Sequence, residues 1–503
     1  MGGWKPWLVL AALLGLSLAW SKPLAFVLDT VPYRVDEAQA IVAQLKQIGV
    51  DVQVRVWQPT ILREEVLKGT RAAYMTDWGS AYFDPFDLAI PKLETGGRGN
   101  FSFYSNPNVD NLFKLASTTI QEATRLTAYR SIQKQIFRDA PWVFGYVLDN
   151  LEGVSANLEG YEAAADNGIN LSRASLRGGD TVTVGMRTNA LVSLDVAMHR
   201  DRDTEAVLRN IFDALVLRTP EGKVQPLLAT SWRNETSTRF LVTLRQGVRF
   251  HNGDPFSADD VVYTFERILK EGGVNGQTSP RKGLLGPLER VEKVSDTQVR
   301  FIYSAPFPPN LILQSLVQFQ IVPRRYIEQG GYANFLARPV GTGAFSFVRG
   351  RLDSEIVLER NENYFLGTPR LRRVIFRMMP EPSTRVAALL SGEVQLIQAV
   401  PPDLVSRLEG NNQVRVLRGE GTRSYQIELN TKQPPFNDIR VRQALNYAIN
   451  WDAILREVYR GYAQRLSTAF LPTGFGYDPS LKPYPYDPDR ARTLLRQAGF
   501  EVR

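Results

Sequence analysis

Segments that alternate apolar and polar residues and segments with helical spacing follow one another along the whole chain, and this mixture restricts the fold more than any other feature. Residues 24–31 have the length and composition of a buried strand. The next segment repeats apolar residues at helical spacing up to Gly49, and residues 50–57 then alternate with period two. A strand, a helix and a strand in this order predict a parallel pair with a right-handed crossover. The class is therefore α/β.

Other segments carry equally clear start and stop signals. Ser257 can cap a helix with acids in its first turn, Ser383 can start a helix that Gly392 ends, and Asn437 or Asp438 can begin a longer one. The segments FLVTLR, QVRFIY and EIVLER alternate as strands do. With 503 residues, of which 44% are hydrophobic, the chain predicts two to four structural units, and no fixed-period repeat is present.

The last predicted helix begins at Asp487 and Pro488 and is closed by Gly499. No further element is predicted after this helix, whereas the first element predicted after residues 1–21 is the buried strand at residues 24–31. Joined head to tail, the two segments form one helix-to-strand connection.

Residues 1–21 have the order of a secretory signal peptide, with one cation at Lys5, an apolar run and then small residues. An uncleaved membrane anchor is the alternative, although the apolar core is shorter than a membrane span requires. No cysteine is present, which excludes disulfides, thiolate metal sites and a lipid-bearing cysteine. We therefore expect a periplasmic protein without a lipid anchor, and full secretion is the alternative.

The formal charge of +8 does not indicate a nucleic-acid partner, because 60 basic residues are offset by 52 acidic ones spread along the chain. The only two histidines, His199 and His251, lie in different blocks, so the sequence predicts no metal site and no cofactor. No nucleophile elbow, phosphate loop or paired-carboxylate motif stands out. We do not expect an enzyme.

Four blocks resemble, in family order, the extracellular solute-binding family 5, which contains the dipeptide- and oligopeptide-binding receptors of ABC importers. They read FLVTLRQGVRFHNGDPFSADDVVYTFERI, PVGTGAFSFV with EIVLERNENYF, STRVAALLSGEVQLI, and LNTKQPPFNDIRVRQALNYAIN. Residues 23 to about 172, with YSNPNVDNL and RDAPWVFGYV, resemble the last third of the family. That third should follow Arg503, so the resemblance implies a circularly permuted member.

The resemblance implies a two-lobed periplasmic binding protein (type II, cluster C-like) with an extra small domain, closing on its ligand by a hinge. The expected units are a signal peptide at 1–21, the first part of ligand-binding lobe 2 at 22–142, the first part of lobe 1 with the permutation linker at 143–216, the extra domain at 217–337, the second part of lobe 1 at 338–420 and the second part of lobe 2 at 421–503.

Ligand-contacting residues are expected where this chain matches the cleft-lining segments of the family. The candidates are Trp57, Asp77, Trp78, Gly79, Tyr82, Asp84, Met198, Arg200, Arg202 and Tyr425. Trp78 and Tyr82 could stack on a sugar ring, and the two arginines could pair with a carboxylate or phosphate. For each candidate, packing, turn formation or a solvated rim is the alternative.

The acid that grips the α-amino group in peptide binders is replaced here by Ala81. A buried ammonium would lose its charged partner, which favours an oligosaccharide or another non-peptide solute, with a short peptide as the alternative. A third interpretation is a sensory or chaperone-like protein, and a fourth is a hydrolase on the same fold. The expected partners are this small ligand and the permease of an ABC importer, and the protein is expected to be a monomer.

Overall fold

The computed structural model describes residues 22–502. The predicted signal peptide at residues 1–21 lies outside these described residues. Within residues 22–502, none of the helices combines the length and the apolar character that crossing a bilayer requires.

Strands and helices alternate along the chain as the sequence predicts. The strands are β1 (Lys22–Pro23), β2 (Ala25–Thr30), β3 (Asp51–Val56), β4 (Ala73–Gly79), β5 (Trp142–Leu148), β6 (Asn150–Ser155), β7 (Leu158–Glu159), β8 (Ser175–Leu176), β9 (Thr181–Met186), β10 (Val216–Arg218), β11 (Val224–Pro226), β12 (Ala229–Thr236), β13 (Arg239–Leu244), β14 (Leu288–Ser295), β15 (Gln298–Tyr303), β16 (Phe345–Gly350), β17 (Glu355–Arg360), β18 (Arg373–Met378), β19 (Leu396–Ile397), β20 (Val414–Gly419), β21 (Arg423–Leu429), β22 (Ala463–Arg465) and β23 (Phe500–Glu501). The α-helices are α1 (Val35–Gln47), α2 (Pro59–Leu67), α3 (Pro85–Leu88), α4 (Ile90–Leu93), α5 (Pro107–Thr118), α6 (Glu122–Asp139), α7 (Arg202–Ile211), α8 (Ala258–Leu269), α9 (Pro309–Leu316), α10 (Arg324–Gly330), α11 (Tyr332–Ala337), α12 (Pro382–Leu390), α13 (Val405–Glu409), α14 (Ile439–Ala448), α15 (Trp451–Tyr459) and α16 (Pro488–Gln497).

Lobe 2 is built on a six-stranded sheet in the order β22-β5-β21-β4-β2-β3. Strands β2 and β3 are parallel and α1 connects them, which confirms the predicted strand-helix-strand unit. The buried face of α1 packs with that of α14 in one core. Four strands come from residues 22–148 and two from residues 423–465, so widely separated parts of the sequence share this sheet.

Lobe 1 contains a seven-stranded sheet in the order β16-β17-β18-β9-β19-β6-β20. The extra domain adds a four-stranded antiparallel sheet, in the order β12-β13-β15-β14, against which α8 packs. Ser257 and Asp260 form a capping box at the start of α8, as the sequence indicates. The ring of Phe265 on α8 meets Phe301 edge-to-face, with 4.9 Å between the centroids. The extra domain therefore has a core that α8 covers.

Two predicted boundaries shift. The chain passes from the lobe 2 sheet to the lobe 1 sheet at residues 148–150, later than the predicted boundary after residue 142, because β5 pairs with β21 and β22 inside lobe 2. The helix expected to start at Ser383 has Glu381 at its N-cap, with Ser383 in its first turn. The return to lobe 2 lies between β20 and β21, at residues 420–422, next to the predicted boundary.

The first and last described segments lie side by side. Lys22 pairs with Phe500 and Pro23 with Glu501 in a short parallel ladder, β1 with β23. The helix α16, capped by Asp487 as predicted, leads directly into this ladder. The two segments that the sequence joins head to tail are therefore neighbours in space.

Candidate functional site

A cavity of about 930 Å³ lies between lobe 2, lobe 1 and the extra domain. Lobe 2 contributes parts of residues 63–98, lobe 1 contributes parts of residues 199–209, and the extra domain contributes Arg218, Arg281 and Gln318 among others. Pockets of this size and position, where structural units meet, are typical of small-molecule sites.

The loop at residues 80–87 belongs to lobe 2 and forms hydrogen bonds with lobe 1 and the extra domain. Arg202 donates to the carbonyl oxygen of Ser80 at 2.9 Å, and Arg218 donates to that of Ala81 at 2.8 Å. The hydroxyl of Tyr82 donates to the carbonyl oxygen of Leu284 in the extra domain. These bonds join the units around the cavity, so the structure has a closed arrangement.

Asp87 fixes the shape of this loop. Its carboxylate accepts hydrogen bonds from the Ser80 hydroxyl at 2.6 Å, the Ala81 amide at 2.5 Å and the Tyr82 amide at 3.1 Å. Burial raises the pKa of Asp87 to about 6, although these three donors oppose the shift. Asp87 also lines the cavity, so a carboxylate lies directly beside Ala81 after all.

Trp78 lies at the junction of the loop and β4. Its indole nitrogen donates to the carbonyl oxygen of Asp87 at 2.8 Å. The guanidinium of Arg98 lies 4.8 Å from the ring centroid and the ammonium of Lys92 lies 5.2 Å from it. A Cβ at position 99 would come within 3.0 Å of the indole, so Gly99 allows the loop that carries Arg98 to lie against Trp78. Two cations and the backbone at Gly99 thus occupy part of the aromatic surface of Trp78, which is half-buried.

A network of buried and half-buried side chains, which we call the floor cluster, consists of Asp166, Glu205, Arg209, Arg218 and Arg281. Asp166 accepts from Arg209 at 2.8 Å and from Arg218 at 3.1 Å. Glu205 accepts from Arg209 at 3.0 Å and from Arg281 at 2.9 Å. Burial favours a higher pKa for Glu205, but Arg281 and Arg209 outweigh it and lower the pKa to about 2. The same competition, with Arg209 and Arg218, holds the pKa of Asp166 well below its usual range.

His199 borders the floor cluster as a neutral ring. Burial and the charge of Arg281 lower its pKa to about 4, against the opposing effect of Glu205. Its Nε2 therefore accepts a hydrogen bond from Arg281 at 2.7 Å, and its Nδ1 donates to the carbonyl oxygen of Asp201 at 3.3 Å. His251 accepts from the Gly341 amide and donates to the Gly343 carbonyl, so it has a local structural role.

Three further arginines of the cavity wall, which we call the mouth arginines, are Arg63, Arg98 and Arg200. All three are exposed, and Arg63 and Arg98 come from lobe 2 whereas Arg200 comes from lobe 1. Among residues 22–502, their guanidinium groups find no carboxylate and no hydrogen-bond acceptor. Partial burial and the charge of Arg200 lower the pKa of Arg98, the carboxylate of Asp87 opposes this shift, and the charge of Arg63 adds to it. Arg98 is therefore repelled by Arg200 of the opposite lobe and by Arg63 of its own.

The structure brings together half of the residues predicted from the sequence. Trp78, Gly79, Tyr82, Arg200 and Arg202 line the cavity. Tyr82 does not offer a free ring, because it is only 2% exposed and packs in the core of the extra domain. Arg202 is committed to Ser80 and to the hydroxyl of Thr422 at 2.8 Å. A ligand-contacting role for these residues stays a prediction.

The other predicted residues do not line this cavity, and each has a local structural role instead. Asp84 caps α3 and pairs with Arg125, Asp77 pairs with Arg423, Trp57 donates to Asp29, Met198 packs against the core of the extra domain, and Tyr425 stacks on Tyr146. Asp84 lies away from this cavity because α3 turns the chain, so that the carboxylate three residues later, Asp87, faces it; ligand contacts of Asp84 stay a prediction.

Sequence reasoning missed the floor cluster and two of the mouth arginines. The members of the floor cluster come from separate segments with no common spacing, so only the fold brings them together. Arg98 carries a usable signal, because it stands in the glycine-rich run GGRGN, and glycines allow close approach of a backbone. Within the described chain, no group of three or more histidines, cysteines or carboxylates is arranged to hold a metal ion.

Comparisons with known proteins place this geometry in a family. The model described as bacterial extracellular solute-binding proteins, family 5 Middle, matches residues 223–503. Di/tripeptide-binding protein 2 of Pseudomonas aeruginosa is 32% identical over 316 residues, which cover 59% of this chain and 59% of that protein. Heme-binding protein A of Haemophilus influenzae is 32% identical over 295 residues, 55% of this chain and 54% of that protein.

The structure of HbpA2 from Haemophilus parasuis superposes with a TM-score of 0.57 at 27% identity, covering 64% of this chain and 67% of that one. The chain thus spans a little over half the length of the two curated relatives named above.

Proposed function

Because the chain belongs to the bacterial extracellular solute-binding proteins of family 5, we propose that it is the periplasmic receptor of an ABC importer. It captures a small solute and delivers it to a membrane permease. The observation that carries this proposal is the cavity of about 930 Å³ that both lobes and the extra domain enclose. Recognition then occurs by burial as the lobes close, with no covalent step.

The cavity favours a charged, peptide-type solute over the oligosaccharide that Ala81 suggests. An oligosaccharide needs open aromatic faces, whereas two cations lie against the half-buried ring of Trp78 and Tyr82 is buried in a core. Glu94 places on the wall a carboxylate with which an α-ammonium group could pair. The name of the relative in Pseudomonas aeruginosa, a di/tripeptide-binding protein, is consistent with this solute class.

Native mass spectrometry of the protein purified from a periplasm tests the proposal, because closed clefts retain their ligands. We expect a bound mass that is released on denaturation and that raises Tm when it is added back. A ligand series spaced by one hexose would instead establish the oligosaccharide. If no mass is released and no peptide mixture or sugar raises Tm, the receptor proposal is wrong.

The order of the chain is the second part of the proposal: the sequence is circularly permuted relative to its relatives. Three observations support this. The family match runs from residue 223 to 503 and leaves the earlier residues outside, four strands from those earlier residues complete the lobe 2 sheet, and β1 lies against β23.

A re-ordered chain tests the permutation. Residues 175–503 followed by residues 22–170 should fold with a similar Tm and bind the same solute, since termini that are neighbours in space tolerate such joining. The matched control is a chain re-ordered in the same way but broken inside β21. It should not fold, because the break divides a central strand of the lobe 2 sheet. If the re-ordered chain also fails to fold, the permutation is not supported.

A further inference from the structure

The cavity wall carries an excess of positive charge. Among the described residues that line it, eight are arginines, whereas five are aspartate or glutamate, and His199 is neutral. Most of these carboxylates are already engaged. Asp166 and Glu205 hold the floor cluster, and Asp87 accepts three hydrogen bonds from its own loop. The carboxylates of the wall therefore do not balance the positive charge of its arginines.

The uncompensated charge is concentrated on the mouth arginines, which belong to opposite lobes. Arg98 is held in place against Trp78, and its pKa is lowered by burial and by Arg200 and Arg63, with only Asp87 opposing them. Bringing Arg98 and Arg200 together as the lobes close costs free energy, since like charges repel more strongly where water is partly excluded. An anion between them reverses the sign of this interaction.

We infer that the solute carries at least two acidic groups, which bridge Arg63 and Arg98 of lobe 2 to Arg200 of lobe 1 and so drive closure. This inference rests on the proposed receptor function and specifies its ligand. A single acidic group would leave one lobe's cation unpaired, whereas two groups satisfy guanidinium groups on both sides. Glu94, a carboxylate of the wall without a hydrogen-bond donor in the described chain, leaves room for one ammonium group on the same solute.

The test is a set of probes added to the ligand-free protein at equal concentration. Citrate, the dipeptide Glu-Glu and 2,3-bisphosphoglycerate are the acidic probes, and the dipeptide Ala-Ala and maltotriose are the controls without net charge. We expect at least one acidic probe to raise Tm and to reduce the radius of gyration in solution scattering, with an effect that weakens as salt is added. The acidic probe that binds identifies the source as a free polycarboxylate, an acidic peptide or a phosphate ester.

Variants locate the effect. Arg98→Gln and Arg200→Gln should each weaken binding of the acidic probe about tenfold or more, because each removes a charge-assisted hydrogen bond. Arg456→Gln is the matched control. Arg456 is exposed, forms an ion pair with its neighbour Glu457 and lies outside the cavity wall, so its loss should leave binding unchanged.

Two outcomes overturn the inference and leave the receptor function standing. One is closure with Ala-Ala or maltotriose but with none of the acidic probes. The other is acidic-probe binding that is equally tight in Arg98→Gln, Arg200→Gln and the unaltered protein. If no probe binds and no solute is released from the purified protein, both the inference and the receptor function are wrong.

Discussion

The floor cluster and the mouth arginines place the same chemical group in opposite surroundings. In the floor cluster, the half-buried Arg209 and the buried Arg281 are bonded to Glu205 at 3.0 and 2.9 Å. At the mouth, the guanidinium groups are exposed, and no carboxylate of the described chain pairs with them. The paired arginines therefore hold the wall in shape, whereas the unpaired ones are available to a ligand. The two sets should respond very differently to substitution.

The largest expected effect comes from breaking the floor cluster. Glu205→Gln leaves Arg281 and part of the charge of Arg209 buried without an anion, and should lower the free energy of unfolding by about 3 to 5 kcal/mol. Urea denaturation at neutral pH measures it. A decrease in the free energy of unfolding of less than about 1 kcal/mol would show that the floor cluster is solvated. The floor cluster and the mouth arginines would then not differ in their contribution to stability.

Acid should weaken the same cluster. The pKa of Glu205 is lowered from 4.5 to about 2 in the folded state. Its contribution to stability is therefore complete above about pH 4.5 and is lost as the pH falls from 4.5 towards 2, by about 3 kcal/mol at most. Subtracting the pH profile of Glu205→Gln from that of the unaltered protein isolates this contribution, and a flat difference over this range would contradict it.

His199 gives a smaller effect at higher pH. Its pKa is lowered from 6.5 to about 4, so the unfolded chain takes up the proton first. Stability should therefore fall by about 1 to 3 kcal/mol as the pH drops from 6.5 to 4. In His199→Gln, which keeps an acceptor for Arg281, this part of the slope should be absent. An unchanged slope would mean that the ring is protonated in the folded protein.

The smallest expected effect is at the mouth. Arg63→Gln and Arg200→Gln should change the free energy of unfolding by no more than about 0.5 kcal/mol in the absence of ligand, because neither guanidinium has a partner to lose among the described residues. Thermal denaturation of both variants measures this. A loss comparable to that of Glu205→Gln would place these side chains in the structural network and would remove the basis of the comparison.

Local signals in the sequence predict much of the fold. The strand-helix-strand unit at β2, α1 and β3 follows from periodicity, and the starts of α8 and α16 follow from capping residues. The predicted crossing after residue 142 lies too early because the sequence does not show which sheet a buried strand joins. That choice is decided by the pairing of β5 with β21, which lies more than 270 residues away in the chain.

The site is harder to predict, because its chemistry depends on contacts between distant segments. Asp84 and Asp87 look equivalent in the sequence, yet the short helix α3 directs the first to Arg125 and the second to the cavity. Arg200 and Arg202 are both expected at the ligand. Only the structure shows that Arg202 is already bonded to Ser80 and Thr422, whereas Arg200 has no partner in the described chain.

The two passages between the lobes have a mechanical consequence. They run side by side, with Asn150 paired to Gly419 in one sheet and Val147 to Ser424 in the other, and Arg418 bonds Asp149 between them at 2.6 Å. Two adjacent connecting segments define one hinge axis and oppose translation or twisting of one lobe against the other. The separation between Arg98 and Arg200 then depends on a single angle. The distance between two spectroscopic labels, one on each lobe near these arginines, would therefore report how far the lobes are closed.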